Sequence, residues 1–168
     1  MSEPGAGLTP ASVQGWVLLV EDDPDDRELA MHALRRGRIE LRVEVARDGV
    51  EALDLLYGRG EWEGREPTDL PCVVLLDQKM PRLDGIDVLR EVKRDPALRE
   101  VPVVMLTSSA EEGDLSACYR LGANSYVVKP VDIDQFFQAV QQIGLYWVIF
   151  NRPHREAGRG AETAFADR

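Results

Sequence analysis

The sequence predicts an α/β fold in which helices cover both faces of one parallel, five-stranded sheet. Short apolar runs alternate five times with segments of helical periodicity, and this alternation produces a parallel sheet through right-handed crossovers. Four of the runs end abruptly in polar residues, as strands do at the carboxyl edge of such a sheet. The expected strand order is 2-1-3-4-5, with its switch point between strands one and three.

The first strand, at 16–20, is apolar throughout and leads into a helix. The segment Asp23-Pro24-Asp25-Asp26 has the features of a helix start: a cap residue, a proline at the first helical position and acids near the positive end of the helix dipole. We therefore assign Asp23, Asp25 and Asp26 to capping. The helix should run to about residue 36.

Strand two and the second helix are followed by a long connection. Residues 41–46 alternate apolar and polar side chains, which suits a more exposed strand, and Asp48 caps the helix after it. The polar stretch 57–70 contains Trp62 and is longer than a usual connection between a helix and a strand. Two interpretations stay open, namely a surface loop held down by its tryptophan and an insertion that touches a partner.

The remaining three strand–helix units follow the same pattern. Strand three is apolar until Asp77, Asp84 starts the next helix, and Asp95-Pro96 stops it. Gly122 is the expected C-terminal glycine of helix four. The expected bounds are 71–77, 102–106 and 125–128 for the strands, and about 84–95, about 111–121 and from about 132 onward for the helices.

The polar residues at the strand ends form the candidate site. They are Glu21 and Asp22 after strand one, Asp77 at the end of strand three, Thr107 after strand four and Lys129 after strand five. The carboxyl ends of parallel strands meet at one edge of the sheet, where ligands bind. Carboxylates that meet there repel one another unless they are protonated or hold a cation, and hard oxygen ligands at an open crevice suit Mg²⁺.

This set of side chains permits phosphoryl chemistry. Mg²⁺ accepts phosphoryl oxygens, Asp77 can attack phosphorus to form an acyl phosphate, and Lys129 can spread the developing charge. Thr107 can hydrogen-bond a phosphoryl oxygen. Taken singly, Thr107 is typical of a turn, Lys129 of a surface and Tyr126 of a core, but their joint occurrence favours the functional interpretation.

Composition indicates which kinds of partner the protein has and in which compartment it acts. The 168 residues suit one domain, and 30 acidic against 20 basic side chains give a net charge of −10, which disfavours nucleic acid and anionic membrane surfaces as partners. Cys72 and Cys118 lack metal-ligand spacing, so we expect buried thiols in a reducing cytoplasm. No apolar run is long enough to span a membrane. We therefore expect protein partners.

Together these motifs resemble the receiver domain of two-component response regulators. The resemblance covers about 16–150 and lies in Glu21-Asp22, Asp77 with Met80-Pro81 and Asp84-Gly85, Thr107-Ser108, and Lys129-Pro130. It implies a flavodoxin-like fold, and it implies that Asp77 accepts a phosphoryl group from the phosphohistidine of a sensor histidine kinase.

The resemblance also implies a metal site. Mg²⁺ would be held by Asp22, Asp77 and the backbone carbonyl of Lys79, with Glu21 acting through water. Glu21 replaces the more usual aspartate, which lengthens its reach. Lys79 lies where the family varies, and its ammonium is expected to alter the lifetime of the acyl phosphate.

A switch is implied as well. Thr107 and Tyr126 would move together, Lys129 would pair with the phosphoryl group, and the Lys129–Pro130 bond would be cis. We expect residues 1–14 to be a disordered leader, 15–150 the receiver and 151–168 a mostly disordered tail too short for an output domain. The signal should therefore leave through the surface formed by helix four, strand five and helix five.

Helix five predicts a homodimer. One stripe of it suits the core, but its last turns are apolar nearly all round, and a terminal helix outside a sheet cannot bury every side by itself. We expect a two-fold dimer, the alternative being that the chain folds back over this end. The expected interface residues are Phe137, Leu145, Tyr146, Trp147, Ile149 and Phe150.

Three further features resemble the single-domain regulators that partner bacterial phytochrome histidine kinases. They are the long loop before strand three, the pair Tyr146-Trp147 and the segment Asn151-Arg152-Pro153. The resemblance implies red or far-red light as the input.

Two other functions are weighed against a phosphorylated receiver. The first is a constitutive dimeric adaptor of receiver fold, which keeps the crevice residues without using them. The second is a phosphatase for outside substrates, which is disfavoured because Lys79 stands where a second carboxylate would have to act as general acid.

Overall fold

A computed structural model of the chain describes residues 15–36, 41–108, 112–129 and 133–147. Five parallel strands within these residues form one sheet in the order β2-β1-β3-β4-β5. They are Trp16–Val20 (β1), Arg42–Ala46 (β2), Val73–Asp77 (β3), Val103–Thr107 (β4) and Ser125–Val128 (β5). The predicted α/β class and strand order are confirmed.

A helix follows each strand, as predicted. The helices are Pro24–Arg35 (α1), Gly49–Tyr57 (α2), Gly85–Arg94 (α3), Glu112–Arg120 (α4) and Ile133–Leu145 (α5). The predicted caps explain their starts, because Asp48 accepts the N–H of Glu51 and Asp84 accepts that of Asp87. The predicted leader, the tail and the conformation of the Lys129–Pro130 bond lie outside the described residues.

The sheet separates two apolar clusters, because alternate residues of each strand point to opposite faces. In β3, Val74 and Leu76 face the cluster covered by α2, α3 and α4, whereas Val73 and Leu75 face the cluster covered by α1 and α5. Both cysteines are buried, and neither forms a disulfide. None of the described helices has the length and apolar character needed to cross a membrane.

The predicted apolar stripe of α5 packs against α1. Val140 and Gly144 are buried, while Phe137 and Trp147 are half-buried against the same cluster. A Cβ atom on Gly144 would lie 2.8 Å from a methyl group of Leu34, so the glycine permits this close approach of the two helices.

The long connection after α2 is fixed to the first strand. Trp62 packs against the core, and Asp69 accepts a hydrogen bond of 2.8 Å from the indole N–H of Trp16. Arg65 pairs with Glu44 at 3.0 Å and lies over the Trp16 ring at 4.6 Å. These contacts favour the interpretation of a surface loop that its own side chains hold down.

Candidate functional site

Three carboxylates lie together at the carboxyl edge of the sheet. Glu21 and Asp22 follow β1 directly, and Asp77 is the last residue of β3, the neighbouring strand. One oxygen atom of each lies within 4.8 Å of those of the other two. Glu21 and Asp77 are buried, and Asp22 is half-buried. The topology therefore brings together the residues that the sequence placed at these two strand ends.

Lys129 reaches this cluster from the end of β5. Its ammonium lies 2.8 Å from Glu21 Oε2, 2.9 Å from Asp26 Oδ2 and 3.5 Å from Asp77 Oδ1. The predicted capping role is confirmed for Asp23 and is wrong for Asp25 and Asp26, which lie in the first turn of α1. Asp23 alone is the N-cap of α1 and accepts the N–H groups of Asp25 and Asp26, so the Asp26 carboxylate is left to bind Lys129.

Burial makes negative charge costly in this cluster. It raises the pKa of Glu21 from 4.5 to about 7, with Lys129 opposing the shift and the charge of Asp77 adding to it. Burial also raises the pKa of Asp77, although Lys129 and a hydrogen bond with Glu21 lower it. For Lys129, burial opposes the charge, but its hydrogen bonds to Glu21 and Asp26 raise its pKa overall.

The donor set fits a divalent cation. Three converging carboxylates offer hard oxygen ligands, and the two buried ones are only partly neutralised by the single charge of Lys129. Without a cation, burial favours protonation of Glu21 and Asp77. A bound divalent cation would neutralise the two carboxylates in place of those protons. Lys79, the predicted backbone ligand, lies two residues beyond Asp77 with its side chain exposed.

The loop after β3 is held in place by two glycines. The Gly85 N–H donates to the Gln78 carbonyl at 2.8 Å, and a Cβ atom on Gly85 would lie only 2.2 Å from the Asp77 carbonyl oxygen. A Cβ atom on Gly49, at the start of α2, would lie 2.4 Å from the Leu83 carbonyl oxygen. Side chains at these positions would push the loop that carries Lys79 away from the carboxylates.

Arg82 gives the same loop a second anchor. Its backbone has a φ of 67°, in the left-handed region that non-glycine residues rarely adopt. Its guanidinium pairs with Asp48, the cap of α2. Burial opposes the charge of Asp48, but the Glu51 N–H and Arg82 hold its pKa below the usual range.

The predicted switch residues lie beside the cluster. Thr107 is buried at the end of β4, and its carbonyl accepts the Lys129 N–H at 2.6 Å. Tyr126 is half-buried in β5, and its hydroxyl donates to Gln78 Oε1 at 3.2 Å. Gln78 is buried directly after Asp77. The sequence analysis missed Gln78, whose one signal was a polar residue placed between the buried strand and the loop.

Comparisons with known proteins agree with this geometry. The family model described as response regulator receiver domain matches residues 17–141. The response regulator Rcp1 of Synechocystis is 37% identical over 132 residues, which cover 79% of this chain and 88% of Rcp1. A structure of Rcp1 in its Mn²⁺-bound form has a TM-score of 0.76 at 35% identity and covers 84% of this chain and 99% of that one.

Two further similar structures are response regulators of phytochromes. The phosphorylated cyanobacterial phytochrome response regulator RcpA has a TM-score of 0.77 at 35% identity, with 84% of this chain and 99% of that one covered. The bacteriophytochrome response regulator AtBRR is 51% identical with a TM-score of 0.66, with 82% and 98% covered. This chain therefore belongs to the family of response regulator receiver domains.

Proposed function

We propose that Asp77 accepts a phosphoryl group from the phosphohistidine of a sensor histidine kinase in a Mg²⁺-dependent reaction. One observation carries the proposal: Asp77 lies within 4.8 Å of two further carboxylates and 3.5 Å from the Lys129 ammonium. Its side chain keeps 11% of its surface exposed, so part of the carboxylate is accessible to a phosphoryl donor.

The phosphoryl transfer needs only the Asp77 carboxylate and the phosphohistidine. One Asp77 oxygen forms a bond to phosphorus as the bond from phosphorus to the histidine nitrogen breaks, and the electron pair of that bond stays on the nitrogen. The Lys129 ammonium, which lies 3.5 Å from Asp77 Oδ1, would donate a hydrogen bond to a phosphoryl oxygen. The structure of phosphorylated RcpA supports the transfer itself, since a related response regulator is described in phosphorylated form.

The metal would be held by Asp22, Asp77 and the Lys79 carbonyl, with Glu21 acting through water. When bound, Mg²⁺ neutralises the carboxylates and binds phosphoryl oxygens. The Mn²⁺ in Rcp1 supports a divalent cation in receivers of this kind, and the preference for Mg²⁺ is our inference from the hard oxygen ligands.

Mg²⁺ affinity should rise with pH. Folding raises the pKa of Glu21 from 4.5 to about 7, so the stability contributed by its protonated form is complete below pH 4.5 and is lost as the pH rises through about 7. Above that pH the cation no longer competes with a proton. We expect about tenfold tighter Mg²⁺ binding at pH 8 than at pH 6, measured by isothermal titration calorimetry.

The variant Glu21→Gln is the control for this titration. It keeps the size of the side chain but cannot hold a titrating proton, so its Mg²⁺ affinity should vary much less over the same pH range. Equal affinities of the unmodified protein at pH 6 and pH 8 would contradict the assignment of Glu21 to the metal site.

Phosphorylation would be read out through Thr107 and Tyr126, which we propose move together. The hydrogen bond from Lys129 to the Thr107 carbonyl joins the phosphoryl site to the end of β4. The proposed signalling surface is formed by α4, β5 and α5. Its described part exposes Tyr119 on α4, Val128 on β5 and Tyr146 just after α5.

We further propose that this surface forms a homodimer through α5. Tyr146 is 52% exposed and meets the Trp147 ring edge to face at 5.1 Å, which leaves an aromatic patch at the end of the helix. Phe137, another predicted interface residue, also packs on α1, where its ring lies 5.6 Å from that of His32. The side chains of the other three expected interface residues, Leu145, Ile149 and Phe150, lie outside the described residues.

Charge at the aromatic patch should dissociate the dimer. We expect Tyr146→Glu to elute as a monomer in gel filtration at concentrations at which the unmodified protein elutes as a dimer, because the glutamates would face each other or apolar surface in the interface. The matched control is Val50→Glu, which adds the same charge at an exposed apolar residue on α2, on the other face of the sheet. A Tyr146→Glu protein that still elutes as a dimer would contradict this interface.

The kinase partner that fits best is a bacterial phytochrome, since the related RcpA and AtBRR are described as phytochrome and bacteriophytochrome response regulators. The receiver would then act in the cytoplasm as a signalling protein that catalyses only its own phosphorylation and dephosphorylation. The alternative is a constitutive dimeric adaptor. Gel filtration with and without beryllofluoride distinguishes the two, because an adaptor would show no change in its dimer population.

A further inference from the structure

Asp26 contacts the reaction centre without belonging to the predicted site. Its Oδ2 atom lies 2.9 Å from Lys129 Nζ, yet Asp26 is not one of the three carboxylates that converge at the metal site. Its side chain is 43% exposed, whereas that of Lys129 is only 14% exposed. Asp26 therefore links the nearly buried ammonium to the outer rim of the crevice.

The start of α1 explains why this carboxylate is available. Asp23 caps the helix, and Asp26 holds the third helical position, from which an acidic side chain often reaches back to the N–H of the cap residue. Here the Asp23 N–H donates to Glu21 Oε1 at 3.3 Å. Because Glu21 satisfies that N–H group, the Asp26 carboxylate can turn to Lys129.

The Lys129 ammonium has three N–H groups, and three carboxylates among the described residues lie within 4 Å of it. Glu21 and Asp26 lie at 2.8 and 2.9 Å, and both accept hydrogen bonds from it, whereas Asp77 lies further away at 3.5 Å. Two short bonds fix the orientation of the amine on its flexible stem, and the third N–H is then directed toward Asp77. A phosphoryl group on Asp77 would bring one of its oxygens within reach of this third N–H.

Metal binding increases the importance of Asp26. The carboxylates of Glu21 and Asp77 both face the candidate cation site. A bound cation would therefore compete with Lys129 for two of its three described carboxylate neighbours. Asp26 stands outside that set and keeps its contact with the ammonium.

We propose that Asp26 is a positioning residue for the phosphorylation of Asp77. It holds the Lys129 ammonium so that the remaining N–H faces the phosphoryl group. This inference rests on the proposed function of Asp77 and Lys129, and it adds a residue that acts only through Lys129.

The test compares Asp26→Ala with Asp25→Ala. Both residues are acidic and lie in the first turn of α1, so both substitutions remove the same charge from the same end of the helix dipole. Beryllofluoride binding is measured by isothermal titration calorimetry at saturating Mg²⁺, and metal binding is measured separately with Mn²⁺ by electron paramagnetic resonance. We expect Asp26→Ala to weaken beryllofluoride binding about fivefold relative to Asp25→Ala, the effect of one partly exposed ion pair.

A loss of beryllofluoride affinity without a loss of Mn²⁺ affinity would show that Asp26 positions Lys129 and does not hold the metal. Mn²⁺ affinity should be equal in the two variants, and Asp26→Glu should recover most of the beryllofluoride affinity, because it restores a carboxylate that can reach the ammonium. Equal beryllofluoride affinity of Asp26→Ala and Asp25→Ala would overturn the inference, and so would a parallel loss of both affinities in Asp26→Ala. An unmodified protein that fails to bind beryllofluoride at all would instead overturn the proposed function.

Discussion

Asp77→Asn should remove all phosphorylation of the protein. With Mg²⁺ and a small phosphodonor such as acetyl phosphate, the unmodified chain should become labelled and release the label in base, as an acyl phosphate does. The variant should show no label, because an amide oxygen does not form that bond. Phosphate-affinity gel electrophoresis separates the two forms directly.

The same substitution should leave the fold intact. Burial raises the pKa of Asp77, so the ionised side chain is costly in the folded protein, and an amide of the same size removes that cost. We therefore expect urea unfolding to show Asp77→Asn to be at least as stable as the unmodified protein without metal. Asp87→Asn on α3, where the carboxylate pairs only with Arg90 among the described ion pairs, should be labelled normally. Label that survives in Asp77→Asn would remove Asp77 as the nucleophile.

Gly85→Ala should be the most destabilising glycine-to-alanine change among the glycines that the structure describes. The new Cβ atom would lie 2.2 Å from the Asp77 carbonyl oxygen and 2.8 Å from the Gln78 Cα atom. Both are backbone atoms, so the collision is relieved only by moving β3 away from α3. We expect a loss of about 3 kcal/mol in the free energy of unfolding, measured with urea.

Gly113→Ala is the control, since it adds the same methyl group in a helix where nothing lies within 4 Å of the new atom. That variant should gain up to about 1 kcal/mol, because alanine loses less backbone entropy than glycine on folding. Equal stability of the two variants would show that the close approach at Gly85 is not what the chain requires there.

The fold was predictable because the local signals and the topology agree. Apolar runs bounded by Asp caps and by glycine or proline stops placed the five strands and the five α-helices of the described residues to within a few residues, and alternation of β and α elements then implied the strand order. The convergence of Glu21, Asp22 and Asp77 follows from that order, since β1 and β3 are neighbours. The short 3-10 helix Gly60–Trp62 in the long connection was not predicted.

The parts of the site that sequence reasoning missed depend on side-chain direction. The sequence places Asp26 among the acids of the first turn of α1 but does not show which way its side chain turns. In the structure, Glu21 accepts the Asp23 N–H, and the Asp26 carboxylate turns to Lys129. Gln78 is marked in the sequence only as a polar residue after an apolar strand, which does not indicate its hydrogen bond with Tyr126. The left-handed backbone of Arg82 was equally hidden, because neither glycine nor asparagine marks the position.

The strand that ends at Thr107 packs against both layers of helices. Val103 and Met105 are wedged among the helices of one layer, while Val104 and Leu106 are wedged among those of the other. Because side chains pack tightly on both faces, the strand cannot shift without displacing its neighbours. A displacement of the Thr107 end would therefore disturb side-chain packing on both faces of the sheet, including helices that do not contact the crevice.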